Sequence, residues 1–513
     1  MNLTVRILKF VIACSLAVTA QADKLNALDS FVKQARVLSA TPGLAVSIVR
    51  GDEVILARGF GVLEAGKDTP VNEDTLFAIG SNTKYFTATA LGMLAEEHLL
   101  DLDKPLTGYL PQLRFSDPYL FTELTIRDAL SHRSGLQRAD LAWYANPGNT
   151  RAEALSMIRN LSLKRSFRSG FLYNNYLFLA AGLTIPAVTG QSWDAIISER
   201  LFEPLQMSRS NTSVRKLDEV GNVAIPHSIV GGKALSVPYY NLDQIAPAGS
   251  INSTAADMAR WCKVQINGGK FNDRQIIPAN VINEVRKPHT LIPLAGEGRA
   301  GTIHRAYGLG ILRQNYGPKQ VAYQHNGGID GMLSSFSFLP DAKLCVVVLT
   351  NSSPNYELNS TISNWILDHM LGLDDKDYLA EFSENLHQQK DSEAKTLQAH
   401  LDSHNPSLKC PTPLEGFVNT YINDVYGDLI ISLAGSTLQF AYGSLYQGSL
   451  THHQNNSFDL VYEQASRNYS DAGVLSFAQN AKGRVESVLL QFWAEGMPQI
   501  RFIAEPAPAE NAE

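Results

Sequence analysis

Hydrophobic and polar positions along this chain follow different rhythms, and each change of rhythm marks an element. Leu25 to Leu38 repeats at helical spacing and predicts a helix. Leu44 to Val49 and Val54 to Gly59 read as two strands. They are joined at Arg50-Gly51-Asp52-Glu53, a hairpin signal. Helical patterns and loops fill the middle. Strand patterns return at Ser334 to Leu339 and Leu344 to Thr350, joined at Pro340-Asp341-Ala342, and Ile362 to Leu371 reads as an apolar helix. Strands at both ends of a region with helices between them predict one antiparallel sheet built from distant segments. Helices would flank it and a helical subdomain would fill the middle, an α/β arrangement.

The rhythm changes again beyond Leu371. From Asp374 to about Lys409 the chain is polar and charged, which reads as a helical linker. Past Pro411 come short alternating runs such as Leu429 to Leu433, Thr437 to Tyr442 and Val488 to Phe492. Turns such as Ala434-Gly435-Ser436 separate them. That pattern predicts a small all-β domain, a barrel or a sandwich. The expected organisation is a leader over 1–22, an α/β domain over 23–375 and a linker over 376–411. A barrel-like β domain over 412–505 and a disordered tail over 506–513 follow. No internal repeat is present. At 513 residues the chain is long enough for two domains.

The leader is a secretory signal. Arg6 and Lys9 form a positive region, Phe10 to Val18 an apolar core, and Ala20-Gln21-Ala22 a small-residue cleavage site. The apolar run is well short of the roughly 20 residues a membrane span needs. A lipoprotein reading at Val11-Ile12-Ala13-Cys14 leaves too few apolar residues before the cysteine. The mature protein is therefore expected to be exported, periplasmic or secreted, with no stable membrane anchor. Cleavage removes two cations and no acid, so the formal charge of −7 becomes −9. That charge excludes the basic face a nucleic-acid binder needs. Three cysteines remain: Cys262, Cys345 and Cys410. Cys345 lies in the run Leu344 to Leu349 and reads as a small buried hydrophobe. One disulfide among the three is left open. No Cys/His spacing resembles a zinc site, and His452-His453 read as surface residues rather than ligands. No metal or cofactor is expected.

Candidate chemistry begins with Ser-x-x-Lys. It occurs four times, at Ser30/Lys33, Ser81/Lys84, Ser213/Lys216 and Ser392/Lys395, so context decides. Ser81 follows Phe77-Ala78-Ile79-Gly80 and opens a helical pattern in which Phe86, Ala90, Leu91 and Leu94 share one stripe. A serine at that helix start sits in the positive field of the helix end, with its own N–H free for an oxyanion. Lys84 lies one turn along. A lysine in water titrates near 10.4, and moving that value by one pH unit takes about 1.4 kcal/mol. Burial must therefore lower it before the amine can act as a base. The bland reading, a serine cap beside a surface lysine, is accepted for the other three pairs.

A proton relay is sought in Tyr-x-Asn, which also occurs four times, at Tyr144, Tyr173, Tyr239 and Tyr421. Tyr173-Asn174-Asn175 is the best placed, after Arg168-Ser169-Gly170 and before the apolar helix Tyr176 to Leu183; Tyr239-Tyr240-Asn241 is second. A tyrosine beside a cation is expected to ionise more easily. The third element is His325-Asn326-Gly327-Gly328, the sole His-x-Gly of the chain. Its glycines allow close backbone approach, and His325 is placed to donate to a substrate carboxylate or to the relay.

In order and spacing, Ser81-Asn82-Thr83-Lys84, Tyr173-Asn174-Asn175 and His325-Asn326-Gly327 resemble the serine beta-lactamase and penicillin-binding-protein family, in its class C and DD-peptidase-like branch. Leu130 to Leu136, Pro204 to Met207 and Ala248 to Ser253 are also similar to it, and the resemblance covers about 30–375. It implies a beta-lactamase/transpeptidase-like fold over the α/β domain and a covalent acyl-enzyme mechanism. In that mechanism Ser81 is the nucleophile, activated by Lys84 and Tyr173. Ser81 and Gly328 N–H groups hold the oxyanion, Asn175 bonds substrate or Lys84, and His325, Gly327 and Gly328 border the substrate. The third motif carries His where class C lactamases carry Lys, which points away from a dedicated lactamase. The expected activity is that of a D-amino-acid or DD-type peptidase, or an esterase, on a small-molecule or peptide substrate. A class C-like lactamase and a non-catalytic penicillin-binding protein are the alternatives. No Gly-x-Ser-x-Gly elbow occurs, which excludes an alpha/beta-hydrolase. The β domain resembles the C-terminal lipocalin-like barrel of some family hydrolases. It would shape the cleft or join copies into a homo-oligomer.

Overall fold

A computed structural model describes residues 27–294, 302, 304–317, 319–373, 376–463, 473–492 and 499–506. The expected leader over 1–22, and the tail beyond Pro506, lie outside the described residues. A helix over 27–38 leads into an eight-stranded antiparallel sheet. Its strand order is Glu53–Gly61, Gly43–Arg50, Leu344–Thr350, Met332–Leu339, Gln320–Ile329, Leu312–Tyr316, Arg305–Tyr307 and Thr290–Leu291.

The first strands thus pair with the last. Val46 faces Val348 and Ile48 faces Val346 across strands almost 300 residues apart in sequence. These two strands read as continuous apolar runs because both faces of the sheet are covered. Val46, Ile48, Val346 and Val348 pack with Phe31, Val32, Ile362 and Ile366 of the helices over 27–38 and Tyr356–Leu371. The alternate residues Ala45, Val49, Val347 and Leu349 belong to the larger core with Met258 and Trp261 of helix Ala255–Ile266. The period of two thus divides one strand between two cores.

Cys345 is on that second face and forms a disulfide with Cys262, Cα to Cα 5.7 Å. It is fully buried, as the sequence suggests, but it is a crosslink between strand and helix, not a free hydrophobe. The pairing was open in the sequence because the two cysteines are 83 residues apart. Helix Thr83–Glu96 is buried on every side from Thr83 to Leu94, so the stripe read from the sequence understates its burial. It lies at the centre of the α/β domain, between the sheet and the helical subdomain.

Beyond helix Tyr378–Ser403, eight strands from Asn419–Asn423 to Gln499–Ala504 close into a barrel. Tyr421 pairs with Ala504, so the first strand meets the last and no edge is left open. Phe440, Tyr442, Tyr446, Phe458, Phe477, Phe492 and Phe502 pack together in its interior. The barrel is therefore a packed body rather than a container. Its core also receives Leu141 and Ala145 from the helical subdomain. Ser444 N–H donates to the Ala145 carbonyl at 2.9 Å, and Gly443, at φ 58°, lets the chain come that close.

Candidate active site

The three motifs converge on one cleft of ≈ 1310 Å³. Ser81 sits in a single 3₁₀ turn, Gly80–Asn82, that runs straight into helix Thr83–Glu96. The turn is pinned from below. Asn82 Nδ2 donates to Ser334 Oγ at 2.7 Å, and Ser334 Oγ donates to the Ile79 carbonyl at 2.7 Å. Gly80 has φ 50° and lies against Gly328, where a Cβ would stand 2.5 Å from the Gly328 nitrogen. Only glycine meets both demands without strain.

Lys84 Nζ is 3.0 Å from Ser81 Oγ and donates to the Ala248 carbonyl at 2.6 Å. Tyr173 reaches Ser81 Oγ from the other side at 2.9 Å. Its place is set by Asn174, whose Oδ1 caps helix Asn175–Thr189 by accepting from Leu177 N–H. The Lys84 ammonium position is 4.8 Å from the Tyr173 ring centroid and 5.3 Å from that of Phe178. The other Ser-x-x-Lys pairs have ordinary surroundings. Lys33 pairs with Asp29 at the surface, Ser213 caps a short turn, and Ser392 is on an exposed helical stretch. Tyr239, the second choice for the relay, bonds the Ala224 carbonyl and does not line the cleft.

Burial dominates the electrostatics. Lys84 is 0 % exposed, and its amine is pushed well below the ordinary lysine value by desolvation; the Asp140 charge raises it and Arg138 lowers it. Tyr173 is pushed up by burial, with the Ser81 bond and Arg138 opposing. The expectation that a neighbouring cation eases its ionisation therefore fails. Desolvation outweighs the charge, and Tyr173 holds its proton.

His325 differs from its expected role. Its Nδ1 is 2.6 Å from the Asn326 carbonyl and its Nε2 is 2.7 Å from the Tyr307 hydroxyl. A carbonyl can only accept, so Nδ1 carries the proton and Nε2 accepts from Tyr307. Burial and the nearby Lys84 push this ring down to about 3, so it is neutral and its one proton is already used. It has none to donate to a substrate carboxylate. Asn175 lines the cleft, but its Nδ2 donates to Asp140 Oδ1 at 2.9 Å, and its expected bond to Lys84 is absent because Lys84 turns to Ser81 and Ala248. Gly328 lines the cleft; Gly327 does not, and a Cβ on it would stand 1.9 Å from the Ile79 carbonyl oxygen.

Several groups of the site were not singled out from the sequence. Asp140 accepts from Asn175, from Trp143 Nε1 at 3.0 Å and from Arg138, whose guanidinium is 5.0 Å from the Tyr173 ring centroid. His132 packs on Tyr173 with centroids 4.2 Å apart and accepts from Asn174 N–H at 3.1 Å. Its block, Leu130 to Leu136, carries a sequence signal; the pair Arg138 and Asp140, separated by left-handed Ala139, carries none. From the barrel, Tyr426, Tyr446 and Gln499 form part of the cleft wall. Among the described residues no group able to hold a metal lies in the cleft. The one such cluster among them is His400, His453 and Asp459. There His453 is buried, contrary to the surface reading of His452-His453. The two side chains alternate across the strand, and the inward one meets the connecting helix.

A family model described as beta-lactamase matches residues 28–401. An unguisins hydrolase of Aspergillus violaceofuscus is 26% identical over 474 residues, spanning 86% of this chain and 82% of that one. Protein flp of Staphylococcus aureus is 26% identical over 354 residues, 68% of this chain and 67% of its own. Among solved structures, the octameric penicillin-binding protein homologue from Pyrococcus abyssi superposes with TM-score 0.61 at 21% identity, over 93% of this chain and 99% of that one. The D-amino acid amidase from Ochrobactrum anthropi SV3 gives 0.57 at 22%, over 68% and 98%. These structural likenesses extend to the fold. Among the described residues no helix is long and apolar enough to cross a membrane.

Proposed function

The chain belongs to the beta-lactamase family, and from that premise we propose that it is a serine hydrolase working through a covalent acyl-enzyme on a peptide, amide or ester. One observation carries the reading: Ser81 Oγ stands between a desolvated amine at 3.0 Å and a protonated phenol at 2.9 Å, at the floor of a large cleft. Neutral Lys84 takes the serine proton as Oγ attacks the substrate carbonyl carbon. The backbone N–H groups of Ser81 and Gly328 receive the developing oxyanion. Tyr173 passes a proton to the leaving nitrogen or oxygen, and Lys84 restores it. Water then enters by the reverse steps and releases the acid. His325 acts through Tyr307 and the backbone that carries Gly328, as a positioning residue. Asp140 and Arg138 hold Asn175 and Tyr173 in register.

The substrate class favoured is an amide or ester at a D-amino acid, as in a D-amino-acid or DD-type peptidase or esterase. The activities for which relatives are named, an amidase acting on D-amino acids and a hydrolase of unguisins, support it. Neutral His325, in place of a lysine, argues against a dedicated lactamase. We also infer an exported, periplasmic or secreted protein, a reading supported by the leader over 1–22 and the Cys262–Cys345 disulfide. The test is hydrolysis of D-alanine p-nitroanilide and a p-nitrophenyl ester. Ser81→Ala should lose both activities while Ser392→Ala keeps them; equal turnover by the two variants would exclude Ser81 as the nucleophile.

A further inference from the structure

At the C-terminal end of helix Tyr378–Ser403, where it reaches the barrel, two imidazoles converge on one carboxylate. His400 Nε2 is 2.8 Å from Asp459 Oδ1, and His453 Nδ1 is 3.2 Å from Asp459 Oδ2. The two rings stack with centroids 4.2 Å apart. Their ligand atoms and the carboxylate oxygen all lie within 4.8 Å of one another. His453 is 5 % exposed, and none of the three residues lines the catalytic cleft.

The hydrogen bonds around His453 make this more than a chance meeting. Ser403 Oγ donates its single proton to the His400 carbonyl at 2.6 Å. It can then only accept from His453 Nε2, 3.1 Å away, so that nitrogen carries the hydrogen. In a neutral ring the bare Nδ1 lone pair then points at the Asp459 carboxylate, which calls for a cation between them. The helix C-terminus adds its own preference for positive charge.

We propose that His400, His453 and Asp459 form a site for a divalent cation of the zinc class. Two imidazole nitrogens and one carboxylate are a ligand set suited to zinc rather than to calcium or magnesium, which prefer all-oxygen shells. Ser403 orients His453 from behind, as an outer-shell partner does for a metal-bound histidine. Three protein ligands leave the fourth tetrahedral position open to water. His404, with its ring centroid 5.3 Å from that of His453, stands beside it. The ion ties the connecting helix to strands Tyr446–Gln454 and Ser457–Tyr462 and so fixes the barrel.

The test uses the full chain stripped with EDTA and titrated with zinc chloride in a calorimeter, alongside His400→Ala, Asp459→Asn, Ser403→Ala and the neighbouring control His452→Ala. One zinc per chain should bind and raise the melting temperature. His400→Ala and Asp459→Asn should lose this binding, and Ser403→Ala should weaken it about 10–100-fold. His452→Ala should bind as the unaltered chain does. Asp459→Asn keeps the shape of the side chain, so it reads the ligand charge even where an alanine variant fails to fold. Absence of zinc binding to the folded, stripped chain would overturn the proposal. So would binding that survives in both His400→Ala and Asp459→Asn.

Discussion

Lys84 shows how one residue is set against stability. An amine buried without a counter-charge in contact is neutral at a pH where an unfolded lysine is charged. Between its folded value and 10.5 the unfolded chain holds the extra proton, so stability rises with pH through that window. Lys84→Met removes the desolvation cost and keeps the volume. It should raise the melting temperature at pH 7 and cut kcat by about 10²–10⁴-fold, measured by thermal unfolding and ester turnover. Activity in the unaltered protein should rise with pH as Lys84 deprotonates, with no fall attributable to Tyr173 in the neutral range. Tyr173→Phe should cost about 10²-fold in kcat with little change in stability. Among single residues, motif order in the sequence brought Ser81, Lys84 and Tyr173 to one point. It did not yield Asp140, Arg138 or Tyr307, because their roles come from contacts between segments with no local pattern. His325 was found by its glycines, yet its protonation followed from burial, which spacing does not express.

The decisive element is the turn at Gly80–Asn82, held between Gly328 and Ser334. Strand Gln320–Ile329 must pass close beneath it, and Gly327 is the point of contact. Gly327→Ala places a methyl against the Ile79 carbonyl and should destabilise the fold by about 1–3 kcal/mol, read by urea unfolding. It should also lower kcat by displacing Ser81. The disulfide lies on the same face of the sheet, in the core that also holds helix Thr83–Glu96. Replacing Cys262 and Cys345 by alanine should cost about 2–5 kcal/mol, with kcat at low temperature little changed. The flanking strands and the hairpin at Gly51-Asp52 were legible because alternation and turn residues are local signals. The all-round burial of helix Thr83–Glu96 was less so, since threonines and alanines fill its remaining faces and weigh little in a hydrophobic stripe.

Across the molecule as a body, the barrel is part of the hydrolase rather than an appendage. Its core closes over Leu141 of the short helix Asp140–Tyr144 and over Ala145, which caps that helix. Tyr446 faces the cleft and packs near Tyr144, ring centroids 6.1 Å apart. Tyr446→Ala should change kcat/KM for peptide substrates several-fold more than for a small p-nitrophenyl ester. The barrel itself was foreseen from its short alternating strands, and a part in shaping the cleft from the family resemblance, but the docking residues were not, because no local pattern marks Leu141 and Ala145 as barrel contacts. Acid should destabilise the whole. His325, at about 3, and His289, at about 4, are held below the ordinary 6.5, and His132 is pushed well below it. The unfolded chain binds protons there first, so the stability these histidines contribute is complete above pH 6.5 and is lost as pH drops toward 3. His325→Gln should flatten that slope in pH-dependent unfolding.

The proposed function makes Ser81 the nucleophile of an acyl-enzyme, which residue, turn and barrel would all serve. Incubation of the purified protein with a fluorophosphonate and, separately, with a penicillin, followed by intact-mass and peptide mass spectrometry, measures this directly. One adduct per chain should form on the peptide containing Ser81, more slowly in Lys84→Met and not at all in Ser81→Ala. Label on another serine, or no label from either reagent on the folded protein, would contradict it.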